Sequence, residues 1–342
     1  MFLRKVQVFV PKSHEAAARA CVEEFEPNYA WCDRLSRNLS LVSALLPASQ
    51  TEGLLDALER KFAGVEKFRV ILVPVEASLP REPAETNKES SGKIDPVPVA
   101  APRIERVSRA ELYADVEATT KLSRNYLIFV GLSAVVAVIG LLRDSIAIVI
   151  GAMVIAPLLG PNVGLSLATT LADFPLARRS VKTLLGGLGA AVAIAAALAM
   201  ATRVDPSIAE IASRTEVNYS DIILAFVAGA AATLSFTTAA SETLIGVMVA
   251  VAMLPPAVVL GLMIGSGNAK DAYGALLLLL TNVICVNLAG VLTFLVQGVR
   301  PRMWWEATKA RRATRKALIL WCMLLAALLL LIYLSRQADV GP

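Results

Sequence analysis

The sequence predicts an α-helical polytopic membrane protein with about seven spans, a 3+3 inverted repeat with proline-broken helices, and a small N-terminal α+β ferredoxin-like domain. The first observation is composition: 56% of the residues are hydrophobic and 18% charged, whereas soluble domains are about a quarter charged. The second is distribution, because charges crowd residues 1–122 while 125–334 holds long apolar stretches. The third is a repeat within the apolar part.

Residues 1–76 predict a small soluble domain. A helical stretch starts near Ser13, and the capping box Ser49-x-x-Glu52 predicts a helix through Phe62 that Gly64 ends. Four β-rich runs surround these helices: Leu3–Val10, Tyr29–Leu35, Leu39–Leu46 and Phe68–Val75. The resulting order, β-α-β-β-α-β, is the split βαβ of ferredoxin-like folds.

This soluble domain is expected in the cytoplasm, because the first apolar run is too short for a cleavable signal. Its fold hosts many functions, so regulatory ligand binding and a plain docking role both stay open. Residues 77–104, which hold five prolines, predict an extended flexible linker. Residues 105–122 predict an amphipathic helix, started by Ser108-x-x-Glu111, that enters the first span or lies on the membrane surface.

The apolar runs predict the membrane spans, since a bilayer core needs roughly 20 apolar residues of helix. The runs are 125–142, 145–172, 183–202, 221–240, 243–265, 273–297 and 317–334. The first six form the repeat domain, 123–299, and the last belongs to a terminal helix and tail, 317–342. Basic residues cluster after spans two and six, which predicts a cytoplasmic N-terminus and an external C-terminus in the inner membrane.

Residues 300–316 combine two indoles with a run of bases. The segment contains Trp304, Trp305, Arg311, Arg312, Arg315 and Lys316. Indoles at headgroup level and cations facing anionic lipid headgroups predict an interfacial helix on the cytoplasmic leaflet. A basic loop that only sets topology predicts the same location. Since the net charge of +5 sits beside spans, no nucleic-acid partner is expected.

A repeat appears when the chain is shifted by 95 residues. Ile150-Gly-Ala-Met-Val154 then aligns with Ile245-Gly-Val-Met-Val249, and nine of the eighteen positions from 150 to 167 are identical. Spans one to three thus correspond to spans four to six. Because three is odd, the second unit must enter the membrane in the opposite sense, as in many secondary transporters.

Prolines interrupt corresponding spans of the two units. Each removes a backbone donor, and non-helical backbone at membrane depth must be packed in protein or line a wet cavity. The helix-break and pathway candidates are Pro157, Gly160, Pro161, Asn162, Ser166, Pro255, Pro256, Thr281, Asn282 and Asn287. Glycine close-packing and hydrogen bonding between helices are the alternative roles. Glu242, in a short turn, is the candidate ionisable gate or a solvated cap.

A family resemblance rests on three blocks. Ile150-Gly-Ala-Met-Val-Ile-Ala-Pro-Leu-Leu-Gly-Pro161, followed by a basic turn, resembles the signature of the membrane proteins called domain of unknown function family 389. Glu210–Thr215 before Ala228–Ala232 is similar to the second block of that family, and Gly246–Pro256 with Thr281-Asn282 and Leu288–Gly290 to its third. The resemblance covers about residues 120–300 and implies a prokaryotic integral membrane protein, with no activity attached.

No enzymatic constellation is found in the sequence. His14 is the sole histidine and the four cysteines lack metal or disulfide spacing, so no catalytic residue, metal or cofactor is expected. We expect a channel or secondary transporter for a small solute or ion, with a cytoplasmic regulatory domain. The alternative is a non-transporting membrane scaffold or sensor whose soluble domain binds a ligand or partner. Small-xxx-small faces and the apolar content favour a homo-oligomer in the lipid bilayer.

Overall fold

The computed structural model describes residues 3–75, 108–238, 242–299, 315 and 318–332, with the side chains of 49 and 242–252 outside the description. The chain divides into two compact units, Met1–Leu112 and Tyr113–Pro342. The predicted linker, 77–104, lies outside the described residues, as do all members of the predicted interfacial helix, 300–316, except Arg315.

The first unit is a four-stranded antiparallel sheet with two helices. Its elements are β1 (Leu3–Pro11), α1 (Glu15–Glu23), β2 (Tyr29–Arg34), β3 (Leu39–Pro47), α2 (Ala48–Phe62) and β4 (Arg69–Pro74). The strands lie in the order β2-β3-β1-β4, and each neighbouring pair is antiparallel. The strands and helices therefore occur in the order that the sequence predicts, with bounds that differ by a few residues.

The core of this unit follows from strand and helix periodicity. Val6, Val8 and Val10 of the central strand β1 are fully buried, because alternate side chains of a strand point to one face. The helices close that face with apolar residues such as Leu54 and Leu58 of α2. The unit thus has its own hydrophobic core.

The predicted capping box of α2 is wrong. The helix begins at Ala48, directly after Pro47, and no side chain caps it. Pro47 has φ −59°, which suits the residue before a helix, so the chain turns from β3 into α2 without a loop. Ser49 therefore lies in the first turn rather than before it. The helix ends at Phe62 as expected, with the right-handed Ala63 rather than a glycine as its cap.

The next described element of the chain is helix α3 (Arg109–Thr119). Ser108 starts it as predicted, because its Oγ accepts a hydrogen bond of 3.2 Å from the backbone N–H of Glu111. The first turn of α3 belongs to the first unit. There the buried Arg4 binds the carboxylate of Glu111 through two nitrogens, at 3.2 and 3.0 Å.

The second unit is helical. Its elements are α4 (Arg124–Leu142), α5 (Ile146–Ile155), α6 (Leu159–Leu171), α7 (Phe174–Ala201), α8 (Ala209–Ala212), α9 (Tyr219–Thr238), α10 (Glu242–Gly265), α11 (Ala269–Val296) and α12 (Leu318–Ile332). By length and composition, four described helices could cross a membrane (α4, α7, α9 and α11), and the bent pair α5 and α6 could make a fifth. These apolar helices are consistent with a membrane protein, while the count of seven spans stays a prediction.

The two proline sites differ. Between α5 and α6 the chain bends by 58°, with Ala156 extended before Pro157. Pro161 lies in the first turn of α6, where a missing N–H breaks no intrahelical bond. The predicted interruption at Pro255-Pro256 is wrong, because α10 runs through both prolines. In the 95-residue alignment Pro157 stands opposite Ala252. The second half of the sequence repeat therefore lacks the proline that lies at the break of the first half.

Helix contacts pair the elements in a regular way. Helix α4 packs on α7, and α9 on α11. Helix α6 contacts α7 and α11, while α10 contacts α11 and α7. Helix α6, the second half of the broken pair, and α10 therefore each lie between the same two long helices, α7 and α11.

Candidate functional site

A cavity of about 400 Å³ lies in the helical unit between α5, α9, α10 and α11. Its lining includes two predicted pathway residues, Pro256 and Asn282, so we call it the Asn282 cavity. The other residues that line it are Met153, Ser213, Arg214, Asp221, Leu224, Ala225, Val227, Ala228 and Leu278. Its volume falls in the range of pockets that hold small molecules.

The cavity runs from an exposed end to a buried one. Ser213 is exposed and Arg214 and Asp221 are partly exposed, on the loop and first turn that lead into α9. At the other end Met153 and Asn282 expose only 3% and 6% of their surface. A solute that enters beside the charged residues would thus meet apolar walls and, at depth, the amide of Asn282.

The exposed end carries charges of both signs. Arg214 forms an ion pair of 2.7 Å with Glu210 and donates to Ser213 Oγ at 3.1 Å. Asp221 Oδ2 accepts a 2.8 Å hydrogen bond from the backbone N–H of Asn218. Both a guanidinium and a carboxylate therefore line this end of the cavity.

The loop that carries Arg214 is held in place by two contacts. Asp144, at φ 51°, accepts a 2.9 Å hydrogen bond from the backbone N–H of Glu210. Gly274 of α11 lies so close to the backbone of Thr215 that a Cβ there would overlap the Thr215 carbonyl. These two contacts therefore fix the loop that forms the exposed end of the cavity.

Three other predicted pathway residues form a separate buried cluster. Ser166 Oγ lies 3.1 Å from Asn287 Oδ1 and 3.3 Å from the Asn287 carbonyl oxygen. Asn287 Nδ2 donates to Asn162 Oδ1 and, at 2.9 Å, to the carbonyl of Val283. Asn162 Nδ2 in turn lies 3.0 Å from Met253 Sδ. We call these residues the Asn162 cluster.

The Asn162 cluster joins α6 to α11. Asn162 and Asn287 have no exposed surface, and Ser166 exposes 1%. Their polar atoms find partners in one another, so hydrogen-bonded packing, one of the two roles open from the sequence, describes them. Thr281, also fully buried, donates to the Leu277 carbonyl of its own helix at 2.8 Å and does not line the cavity.

Gly160 of α6 provides close packing as well. A Cβ on it would lie 2.5 Å from Thr119 Oγ1, and one on Gly164 would lie 2.7 Å from Ser180 Oγ. The end of α3 and helix α7 thus rest on the first turns of α6. Among the predicted pathway residues, the structure brings only Pro256 and Asn282 to the cavity wall.

Tyr126, near the start of α4, packs against α7 in another part of the helical unit. It exposes 6% of its surface, and its hydroxyl donates to the Thr183 carbonyl of α7 at 3.1 Å. Its ring lies against Gly187, where a Cβ would be 3.0 Å from Tyr126 Cζ. Thr183 Oγ1 donates in turn to the Thr120 carbonyl at 2.8 Å.

Sequence reasoning missed Arg214, Asp221, Met153 and Tyr126 as site residues. In the sequence Arg214 is recognisable as part of the Glu210–Thr215 block and Asp221 as a charge at a predicted span end, while the apolar Met153 gives no polar signal. A register search would have paired Tyr126 with Asp221, which stand 95 residues apart. The side chain of Glu242 and the predicted lipid-interface residues other than Arg315 lie outside the described part.

Tyr113 and Asp173 form a hydrogen-bonded pair outside the helices that could cross a membrane. Tyr113 of α3 donates a 2.7 Å hydrogen bond to Asp173 Oδ2. Burial, together with this bond to a carboxylate, raises the pKa of Tyr113 from its usual 10 to about 12. Within the described residues, no three His, Cys, Asp or Glu side chains are grouped so that they could hold a metal.

Comparisons with known proteins give a family and no activity. The model of the family described as Domain of unknown function (DUF389) matches residues 153–288. An uncharacterized protein of the archaeon Methanocaldococcus jannaschii is 32% identical over 333 residues, which cover 97% of this chain and 99% of that protein. No solved structure matches the chain.

Proposed function

This chain belongs to the DUF389 family, and from that premise we propose that it is a secondary transporter of the prokaryotic cytoplasmic membrane. The Asn282 cavity would bind a small solute. The observation that carries the proposal is this cavity, which has a charged, partly exposed end and a buried amide at depth. It abuts α10 at Pro256, one of the paired prolines of the sequence repeat.

The helix bounds support the 3+3 repeat. Helix α7, Phe174–Ala201, and helix α11, Ala269–Val296, coincide end for end after a shift of 95 residues, and α4 and α9 start 95 residues apart. The buried faces also coincide. Val130, Ala134 and Ala137 are buried on α4, and so are the residues 95 positions later on α9, namely Ala225, Gly229 and Ala232.

Two helix crossings support the same register. Ser166 of α6 lies against α11, where a Cβ on Gly290 would be 2.6 Å from Ser166 Oγ. Gly261 of α10 lies against α7, where its own Cβ would be 2.6 Å from Ala195 Cβ. Gly261 and Gly290 stand 95 residues after Ser166 and Ala195 respectively. The contact of α6 with α11 thus corresponds to the contact of α10 with α7, with the two repeats exchanged. A two-fold relation between the repeats predicts this correspondence.

The opposite sense of the two units completes the proposed topology. Three membrane crossings per unit invert the second one, and the basic residues after spans two and six favour a cytoplasmic N-terminus. The N-terminal domain, proposed as ferredoxin-like and regulatory, would then lie in the cytoplasm. The basic segment 300–316 would contact anionic lipid headgroups, and the chain would form a homo-oligomer.

The lining of the cavity indicates the class of solute. The exposed Leu224 and Val227 and the buried Leu278 provide apolar surface, Asn282 contributes an amide, and Arg214 and Asp221 carry opposite charges. This chemistry suits a small neutral or zwitterionic solute better than a bare ion, which would need several converging oxygen ligands. We propose no catalysis and no cofactor.

The second candidate is the non-transporting scaffold or sensor, and one observation favours it. The Asn162 cluster, which the sequence also offered as part of a pathway, is fully buried and bonded to itself. In a scaffold the polar residues of the Asn282 cavity would serve packing in the same way.

A ligand-stabilisation experiment separates the two. Purified protein is melted with a panel of small neutral and zwitterionic solutes, and any hit is repeated on Asn282→Leu. A solute at 100 times its Kd should raise the unfolding free energy by about 2.7 kcal/mol, or the Tm by roughly 5–10 °C for a unit of this size. Thr281→Val is the matched control, because this neighbour bonds its own helix and does not line the cavity.

Transport predicts that Asn282→Leu loses the stabilisation while Thr281→Val keeps it, and that the hit solute moves across reconstituted liposomes. Stabilisation that survives in Asn282→Leu would remove the solute from this cavity. If no solute of the panel stabilises the protein or crosses the membrane, the scaffold becomes the better account.

A further inference from the structure

The repeat register maps the Asn282 cavity onto a second place in the helical unit. Four cavity residues, Pro256, Leu278, Asn282 and Asp221, stand 95 residues after Pro161, Thr183, Gly187 and Tyr126. The first group surrounds open space. Three members of the second group are found together too, since Tyr126 touches both Thr183 and Gly187.

The second place is filled where the first is empty. At the position of the amide of Asn282 it has a glycine, and at the position of the carboxylate of Asp221 it has a phenol. The ring of Tyr126 occupies the room that Gly187 leaves, and its hydroxyl closes onto the Thr183 carbonyl at 3.1 Å. The side chain thus occupies the position equivalent to the open end of the Asn282 cavity.

The chain before Tyr126 seals the same region. Thr119 and Thr120 lie on Gly160 and Gly164 of α6, and Leu122 lies 3.3 Å from the Cβ position of Gly186. Thr183 Oγ1 binds the Thr120 carbonyl. A stretch of eight residues, 119–126, therefore covers the start of α6 and the middle of α7 through glycines that leave space for it.

We propose that Tyr126 is the gate of a second entrance to the same pathway, closed in this structure and opening on the membrane face opposite to the Asn282 cavity. The inference rests on the inverted repeat of the proposed function. In an inverted pair the starts of α4 and α9 lie on opposite faces, so the entrance beside Asp221 and the entrance beneath Tyr126 face opposite compartments. One entrance is open and the other closed, as alternating access requires.

An ordinary interfacial anchor would not have these contacts. A tyrosine that anchors a span places its hydroxyl among lipid headgroups and water. Tyr126 is 6% exposed, and its hydroxyl donates a hydrogen bond to a backbone carbonyl of another helix. Its neighbours along α4, Leu127, Ile128 and Phe129, are exposed and can face lipid instead.

Cysteine labelling tests the gate without knowledge of the solute. All four native cysteines are replaced, and Thr183→Cys is compared with its counterpart Leu278→Cys in oriented membrane vesicles. A membrane-impermeant maleimide is added from either side. We expect Leu278→Cys to react from the side that bears Asp221, and Thr183→Cys to be protected from both sides.

Opening the gate should then expose Thr183→Cys from the other side alone. With Tyr126→Ala the labelling rate should rise at least about 100-fold, because the ring that fills the entrance is gone. With Tyr126→Phe, which keeps the ring and loses one hydrogen bond, it should rise about fivefold. Tyr126→Phe is the variant expected to fold, and it decides the matter if Tyr126→Ala does not.

Two results would overturn the proposal. One is that Thr183→Cys is labelled at the same rate with and without Tyr126→Ala. If the Tyr126→Ala protein does not fold, the same comparison is made with Tyr126→Phe. The other is labelling from the same side as Leu278→Cys. The outcome is independent of the solute panel, so the gate can fail while solute binding stands. Conversely, opposite-side labelling can hold where no panel solute binds.

Discussion

The crossing of α10 over α7 at Gly261 allows a sharp test of the packing. A Cβ at Gly261 would lie 2.6 Å from Ala195 Cβ, 3.1 Å from the backbone nitrogen of Ala196, and against the carbonyl of Val192. Two of these atoms are backbone, which cannot rotate away as a side chain does. Gly261→Ala therefore forces the two helices apart.

The free-energy cost of the clash at Gly261 can be separated from the gain due to the higher helix propensity of alanine. Overpacking of this kind costs about 1–3 kcal/mol, while alanine in place of glycine in a helix gains up to about 1 kcal/mol. Gly189 of α7 supplies the control, since a Cβ there meets nothing within 4 Å. Gly189→Ala should be neutral or stabilising, and the difference between the two variants measures the contact alone.

The assay is thermal unfolding of both variants in the same detergent or nanodisc. A change of 1 kcal/mol moves the Tm by about 2–4 °C in a unit of 150–250 residues. Gly261→Ala should thus melt roughly 2–12 °C below Gly189→Ala. Equal melting temperatures would refute the close crossing, and with it one of the two contacts that support the repeat register.

Three further predictions concern hydrogen bonds and ion pairs. Asn287→Ala strips the Asn162 cluster of its central partner and should cost about 1–3 kcal/mol of unfolding free energy while leaving solute binding intact; denaturation and the solute panel check both. Glu111→Gln leaves the buried Arg4 without its carboxylate, so the backbone amides of β1 should exchange hydrogen faster. The control is Glu23→Gln, in an exposed ion pair, which should change the free energy of exchange by less than about 0.5 kcal/mol. Because the folded-state pKa of Tyr113 is raised from 10 to about 12, its stabilisation is complete below pH 10 and lost as pH rises towards 12; a Tyr113→Phe variant whose stability falls as steeply over that window would contradict this.

The N-terminal unit was largely predictable from the sequence because its signals are local. Alternating valines in β1 and apolar spacing in α2 define the core without knowledge of distant contacts. The start of α2 was missed because two rules compete there. A capping box at Ser49 predicts a later start, whereas Pro47 already has the φ of a residue before a helix.

The helical unit shows where prediction from sequence stops. The apolar runs locate each helix, and the 95-residue register anticipates which helices have equal bounds. The sequence cannot divide Asn162, Asn282 and Asn287 between packing and cavity, because the bonds that decide it join residues 121 and 125 positions apart. It likewise could not tell that α10 continues through two prolines, since tertiary contacts can hold a helix whose own bonds are interrupted.

Both proposals depend on the two halves of the sequence repeat, spans one to three and spans four to six, having opposite orientations in the membrane. One measurement tests this orientation directly. Asn125 and Ser220 stand 95 residues apart, in the first turns of α4 and α9, and both are exposed. Each is replaced by cysteine in the cysteine-free chain and labelled with an impermeant maleimide in oriented vesicles. The account predicts that Asn125→Cys and Ser220→Cys react from opposite sides of the membrane, and labelling of both from one side would contradict it.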